Sequence, residues 1–266
     1  AAKMVILNVD HPDIEEFIWC KAIEERKSRV LKENGFDMDL DGKDSFSVQY
    51  QNANNSVRVS DEFMNAVARG SDWNLIGVKS KEVTETLSAR KLWREIAEAA
   101  WECADPGLQY DTTINHWHTT PNAGRINASN PCSEYMHLDD SACNLASINL
   151  LTFLNEDGRF DAEAYRQTTR VVFLAQESLV GYSEYPTEKI TKNAKAYREL
   201  GLGYANLGAL LMGMGLPYDS EEGRALAATL TAIMTGEGYA KSAQIAKVVG
   251  TFEGYEADKE GMNRVL

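Results

Sequence analysis

Cysteine is scarce in this chain: four thiols, Cys20, Cys103, Cys132 and Cys143, in 266 residues. They are too few and too scattered to build the disulfide framework of a small secreted domain. No apolar run is long enough to cross a bilayer as a helix, and no basic-then-apolar leader opens the sequence. Cationic residues are outnumbered, with 27 Lys and Arg against 40 Asp and Glu, for a formal charge of −13. That balance argues against a nucleic-acid groove or an anionic membrane surface, both of which call for clustered Lys and Arg. A small anionic ligand stays open, because helix N-termini and backbone amides bind phosphate locally whatever the net charge. Repeats, low-complexity tracts and linkers are missing too. The expectation is a cytoplasmic protein with no nucleic-acid and no membrane partner, whose thiols stay reduced unless chemistry oxidises them.

What is present is ordinary for a folded protein: 44% hydrophobic and 25% charged residues, enough to bury a sizeable core in one large domain or two small ones. "AAKMVILNVD" begins directly on a strand-like run and "GMNRVL" stops without a terminating signal, so the chain reads as part of a longer polypeptide. Lys3 to Asp10 suits a buried strand, and Pro12 with the acids after it suits a helix start. "SFSVQY" alternates as a strand would. Ser60 is placed to cap "SDEFMNAVARG". In "SARKLWREIAEAAWECADPG", Leu92, Ile96, Ala99 and Cys103 share one helical face, and Pro106–Gly107 end it. "ACNLASINLLTF" reads as a buried strand, alone or joined to a helix. The remainder, including "AYRELGLGYANLGALLMGMGLP", reads as helical, with caps expected at Asp161 and at Asp219 or Ser220. The whole is α/β with a helix-rich second half, and nothing in it marks a domain boundary.

The chemistry concentrates in "NPCSEYMHLDDSACNLASINL", Asn130 to Leu150, which holds two of the four thiols eleven residues apart. If Asn130 to Glu134 is extended, as Pro131 favours, Asn130, Cys132 and Glu134 point one way and Pro131 and Ser133 the other. One small surface then carries an amide, a sulfur and a carboxylate base, a set suited to chemistry on a polyol. The competing reading is a loop with a buried thiol. Cys143 favours the first, because a second thiol near a reactive one suits turnover by thiol–disulfide exchange.

The stretch "SNPCSEYMHLDDSACNLASINL" resembles the active-site finger-loop region of ribonucleotide reductases, specifically the class II, adenosylcobalamin-dependent enzymes. Class I large subunits share the N-x-C-x-E core but usually carry Leu where this chain has Pro131. "AAKMVILNVDHPDIEEFIWCK", "FSVQYQNANNSVRVSDEFM", "LQYDTTINHWHT" and "RELGLGYANLGALLMGMGLPYDSEEGRALA" resemble the same family in its order, so the likeness covers essentially the whole chain. It implies that residues 1–266 form part of a ten-stranded α/β catalytic barrel, with a loop carrying Cys132 inside it. Cys132 resembles the cysteine that becomes a thiyl radical and abstracts the ribose 3′-hydrogen. Glu134 resembles the base for the 3′-hydroxyl, and Asn130 the amide that holds the ribose hydroxyls. Pro131 and Ser133 complete the stretch that the resemblance implies contacts substrate. Cys143 resembles one member of the reducing dithiol.

By the same resemblance, the partner of Cys143 and most of the allosteric nucleotide site lie upstream. The phosphate-binding loop and a re-reducing cysteine pair lie downstream. A ribonucleotide substrate, adenosylcobalamin, a thioredoxin-type reductant and a homodimeric assembly are implied, and the segment by itself is expected to be inactive. Two rivals remain: a class I-type catalytic subunit drawing its radical from a metalloprotein, and a non-catalytic nucleotide-binding or assembly piece. Weaker signals add little. "HWH" would place His116 and His118 on one face if extended, but no CxxC or suitably spaced carboxylate joins them, and no metal site is expected. "GLGYANLG" lacks phosphate-loop spacing, so Gly201, Gly203, Gly208, Gly213 and Gly215 are assigned to close helix packing. Asn54 or Asn55 could meet substrate, with an Asn-stabilised turn as the plainer reading. Cys20 and Cys103 are assigned to the core.

Overall fold

The Val- and Ile-rich opening forms the strand β1 (Lys3–Asn8), and the stretch after Pro12 forms the helix α1 (Ile14–Glu33), with Glu15 and Glu16 in its first turn. The structure, a computed structural model, describes residues 3–266. Its chain divides into two units, one running to Asp139 and the other from Asp140 to Arg264. Each has its own apolar core.

The first unit continues through β2 (Ala53–Val59), α2 (Asp61–Arg69), β3 (Asp72–Ile76), β4 (Val83–Ser88), α3 (Ala89–Cys103), β5 (Gly107–Tyr110) and the short α4 (Asp111–His116). Three strands make a parallel sheet in the order β1-β2-β5, with Lys3 opposite Ala53 and Ser56 opposite Gly107. As the middle strand, β2 is buried at every position from Asn55 to Val59. Parallel strands covered on both faces lose the in–out alternation of exposed sheets. Val57 and Val59 pack with Ile14 and Ile18 of α1, Phe63 of α2 and Leu92 and Ile96 of α3. Ser60 caps α2 by accepting from the Phe63 amide at 3.2 Å, and Gly70 ends it in the left-handed region at φ 71°. Leu92, Ile96 and Ala99 are buried on α3 as the spacing implies, while Cys103 is half-buried at its end.

The second unit opens with β6 (Asn144–Asn149) and a 3-10 turn, Leu150–Phe153, followed by α5 (Ala162–Tyr182) and α6 (Glu188–Tyr197). Then come β7 (Leu200–Ala205), α7 (Leu207–Gly213), the long α8 (Glu221–Val249) and α9 (Tyr255–Val265). β6 and β7 pair in parallel, Asn144 opposite Leu200 and Asn149 opposite Ala205. The core gathers Ile148, Leu150, Phe153, Tyr165, Leu210, Leu230 and Met234. Burial pushes the Tyr165 phenol up to about 12, and its hydroxyl donates to the Leu230 carbonyl at 3.3 Å. The expected caps are present: Asp161 accepts from the Ala164 amide at 2.9 Å and Ser220 from the Gly223 amide at 3.0 Å. Among the described residues no helix is long and apolar enough to cross a membrane.

Four local expectations change. "SFSVQY" is not a strand: Ser45–Ser47 is a 3-10 turn, with the Ser45 and Ser47 hydroxyls each donating at 2.8 Å to a carbonyl three residues back. Such local bonds compete with a strand ladder. The strand lies further on, and Asn54 and Asn55 belong to it rather than to a turn. The stretch after Tyr197 is not continuous helix, because β7 interrupts it. Gly201 therefore serves strand pairing: a Cβ there would collide with the Leu145 side chain and come within 2.9 Å of the Cys143 sulfur. The β3–β4 hairpin, antiparallel with Asp72 opposite Ser88, has no counterpart in the sequence reading.

Candidate active site

Asn130, Pro131, Cys132, Ser133 and Glu134 form one tight turn. The Ser133 amide donates to the Asn130 carbonyl at 3.0 Å, and Ser133 takes the left-handed backbone conformation at φ 63°. The extended geometry expected from Pro131 is thus not what forms, and the side chains do not alternate as in a strand. Proline's fixed φ suits the second position of a β-turn as well as it suits extended chain, and asparagine is favoured at the first. The three groups are instead carried within one bend of five residues. Cys132, Ser133 and Glu134 are all exposed, and Pro131 is half-buried. The Asn130 Oδ1 accepts from the Tyr135 amide at 3.1 Å. Its carboxamide oxygen thus closes the loop, and the NH₂ end is the part that can face a ligand.

A polar chain runs from the sheet to this turn. Arg58, on β2 and only 3% exposed, spreads its guanidinium over three acceptors. Nε donates to Asp111 Oδ1 at 2.6 Å, Nη1 to Gln109 Oε1 at 2.9 Å and Nη2 to the Ile126 carbonyl at 2.5 Å. Arg125 takes the other oxygen of Asp111. Asn115 of α4 holds Ile126 at both backbone groups, accepting from its amide at 3.0 Å and donating to its carbonyl at 3.1 Å. Gln109, on β5 and 2% exposed, donates from Nε2 to the Ser129 hydroxyl at 2.5 Å. That hydroxyl donates to the Asn130 carbonyl at 2.8 Å and lies 3.3 Å from the Ser133 hydroxyl. Beyond Glu134, the Tyr135 ring stacks on His137, which meets the buried His118 edge-on at 5.6 Å and contacts the Thr120 hydroxyl at 3.2 Å.

Sequence reasoning missed Arg58, Gln109, Asp111, Asn115 and Ser129. A signal was available, since "VRV" sets a charged residue between two valines inside an apolar strand. Such an arginine requires buried acceptors, and "LQYD" supplies two on alternate positions.

Cys143 belongs to the second unit, half-buried immediately before β6. Beside it, the buried Gln176 of α5 donates to the Asn144 and Gly201 carbonyls, each at 2.8 Å, and ties the starts of β6 and β7 together. Cys20 and Cys103 are half-buried on helix faces in the first unit. Burial pushes the Cys20 thiol up, and it accepts from Asn55 Nδ2 at 3.2 Å while donating to the Phe17 carbonyl. Neither Asn55 nor Cys20 is presented to a ligand. His116 closes α4 and His118 is buried beyond it, so "HWH" is not an extended pair. Among the described residues, no group of three or more His, Cys, Asp or Glu is arranged to hold a metal ion.

Comparison with known proteins gives a consistent result. Residues 1–265 match the family model described as ribonucleotide reductase, barrel domain. A vitamin B12-dependent ribonucleotide reductase of Streptomyces avermitilis is 56% identical over 270 aligned positions, covering 100% of this chain and 28% of the relative. One from Rhodopirellula baltica is 52% identical, covering 100% of this chain and 26% of the relative. A vitamin B12-dependent ribonucleoside-diphosphate reductase of Thermoplasma acidophilum is 30% identical over 98% of this chain and 32% of its own length. The chain thus spans between a quarter and a third of these relatives.

Proposed function

Because this chain belongs to the ribonucleotide reductase barrel family, we propose that it supplies the radical and acid–base groups of a cobalamin-dependent reduction of ribonucleotides to deoxyribonucleotides. The observation that carries this reading is the turn in which an exposed Cys132 sits between Asn130 and Glu134. A sulfur at an exposed corner is open to a radical source from outside the chain, and in that respect the residues fit adenosylcobalamin. Bound, that cofactor would supply a radical able to take the hydrogen atom of the Cys132 S–H bond, leaving the sulfur as a thiyl radical.

The chain's own groups then have distinct tasks. The Cys132 sulfur takes the 3′-hydrogen, forming S–H as the C–H bond breaks. Glu134 accepts the 3′-hydroxyl proton, and the Asn130 NH₂ donates to a ribose oxygen. The 2′-hydroxyl leaves as water. A dithiol that includes Cys143 supplies two electrons and two protons and ends as a disulfide, and Cys132 returns hydrogen to the 3′-carbon. A thioredoxin-type protein would then re-reduce the disulfide, and an effector nucleotide would act at a site mostly contributed by other segments of the enzyme. A homodimer and a cytoplasmic location accompany this reading.

The diphosphate is the proposed substrate, by analogy with the Thermoplasma relative's name. A radical from a metalloprotein partner is not favoured, since the relatives are named as B12-dependent. Incubating the full-length enzyme with a dithiol and ribonucleoside di- or triphosphates, with and without adenosylcobalamin, tests both points. Cobalamin-dependent product from the diphosphate is expected. Product formed equally well without cobalamin would overturn the proposal.

A further inference from the structure

We infer that Arg58, Gln109 and Ser129 act as one positioning relay that fixes the Cys132 turn. This inference rests on the proposed role of Cys132 and deepens it. Donor and acceptor parity sets the direction of each bond in the relay. A guanidinium can only donate, so Arg58 Nη1 forces the oxygen of the Gln109 carboxamide toward itself. The nitrogen of that carboxamide must then face Ser129, where it donates at 2.5 Å. A serine hydroxyl has one proton and two lone pairs. With Gln109 donating to it, its own proton goes to the Asn130 carbonyl at 2.8 Å, and its second lone pair is left for the Ser133 hydroxyl at 3.3 Å. Every hydrogen-bonding position of Ser129 is used, and each bond has a set direction.

The two atoms held at the far end, the Asn130 carbonyl and the Ser133 hydroxyl, bracket Cys132 on both sides. The same carbonyl closes the turn by accepting from the Ser133 amide at 3.0 Å. The near end is anchored in the buried middle strand, where Asp111 compensates the Arg58 charge at 2.6 Å. An exposed sulfur is therefore held through a polar relay rooted in the buried Arg58 and Gln109 rather than by packing of its own side chain. None of the three residues need touch substrate. Their effect is on where the Cys132 sulfur sits, and misplacement of a reacting atom by about 1 Å costs on the order of 10²-fold in rate.

The test uses the full-length enzyme with Ser129→Ala, Ser129→Thr, Gln109→Glu and the Ser129→Ala/Gln109→Glu double variant. Gln109→Glu keeps the acceptor for Arg58 and removes the donor to Ser129, so the fold should survive while the relay reverses. Ser129→Ala and Gln109→Glu should each lower kcat about 10- to 100-fold with KM within about twofold. The double variant should be no worse than the poorer single one, because both break the same chain. Ser129→Thr, which keeps the hydroxyl, should restore most of the rate. Amide exchange in residues 124–135 should quicken by about tenfold or more in the two slow variants, and stay unchanged in α3. Full turnover in both single variants, a rise in KM alone, or additive losses in the double variant would overturn the relay. Absence of 3′-hydrogen exchange in the wild-type enzyme would instead overturn the proposed function, leaving the amide-exchange result to judge the relay by itself.

Discussion

At the scale of single residues, Glu134 carries the sharpest expectation after Cys132. It is exposed on the same turn, two positions from the sulfur. Glu134→Gln keeps the shape and the hydrogen bonding but removes the base, so kcat of the full-length enzyme should fall by about two to four orders of magnitude. KM should change little, and steady-state kinetics read both. A normal kcat would remove the carboxylate from the mechanism. These residues draw notice in the sequence because an amide, a thiol and a carboxylate at i, i+2 and i+4 stand out in any conformation. Their geometry was not, because Pro131 is compatible with both strand and turn, and the choice is made by Gln109 and Ser129 from outside the motif. A local reading cannot see a hydrogen bond that spans twenty residues.

At the scale of elements, parallel pairing of β6 with β7 places Gly201 against Cys143. Gly201→Val should press on the Leu145 side chain and the Cys143 sulfur at once. The exposed Leu145 can swing away, whereas Cys143 is half-buried and held beside the Gln176 clamp. Product formation should therefore drop about 10- to 100-fold while 3′-hydrogen exchange persists, as measured with a tritiated substrate. Equal loss of both would mean that the substitution disturbs more than the surroundings of Cys143. The β7 strand was invisible in the sequence because Gly201 and Gly203 dilute its strand pattern and helices flank it on both sides.

The α5–α8 pair gives a pH expectation. Arg166 and Arg170 donate to the buried Glu237 carboxylate at 2.6 Å each, and Arg166 foremost holds its carboxyl below the ordinary value of 4.5. A carboxyl depressed in the folded state adds stability above its unfolded value and loses it as pH falls through the folded one. Glu237→Gln should thus lower the melting temperature by about 2–4 °C at pH 7. The gap should close below pH 4.5, and thermal melts across the range check it.

At the scale of the molecule, each unit closes its own core, yet the chain covers only about a quarter of the Streptomyces and Rhodopirellula relatives. The 266-residue segment produced alone is expected to form no deoxyribonucleotide with adenosylcobalamin, a dithiol and each ribonucleotide in turn. Product above background would show that its own thiols suffice as the reducing pair. The α/β class and the family were legible along the whole length, because catalytic motif and flanking blocks kept their order. The two-unit division was not, since no Pro-, Gly- or Ser-rich linker marks the passage from Asp139 to Asp140.

In the proposed mechanism Cys132 takes the hydrogen and Cys143 supplies electrons, a division of labour between two thiols. Loss of a 3′-tritium label to solvent, followed in the full-length enzyme alongside deoxyribonucleotide formation, tests it most directly. Cys132→Ser should abolish tritium loss, because an O–H bond is too strong for the radical to form. Cys143→Ser should keep tritium loss, make no deoxyribonucleotide and release free base. Tritium loss that survives Cys132→Ser and disappears in Cys143→Ser would contradict the account.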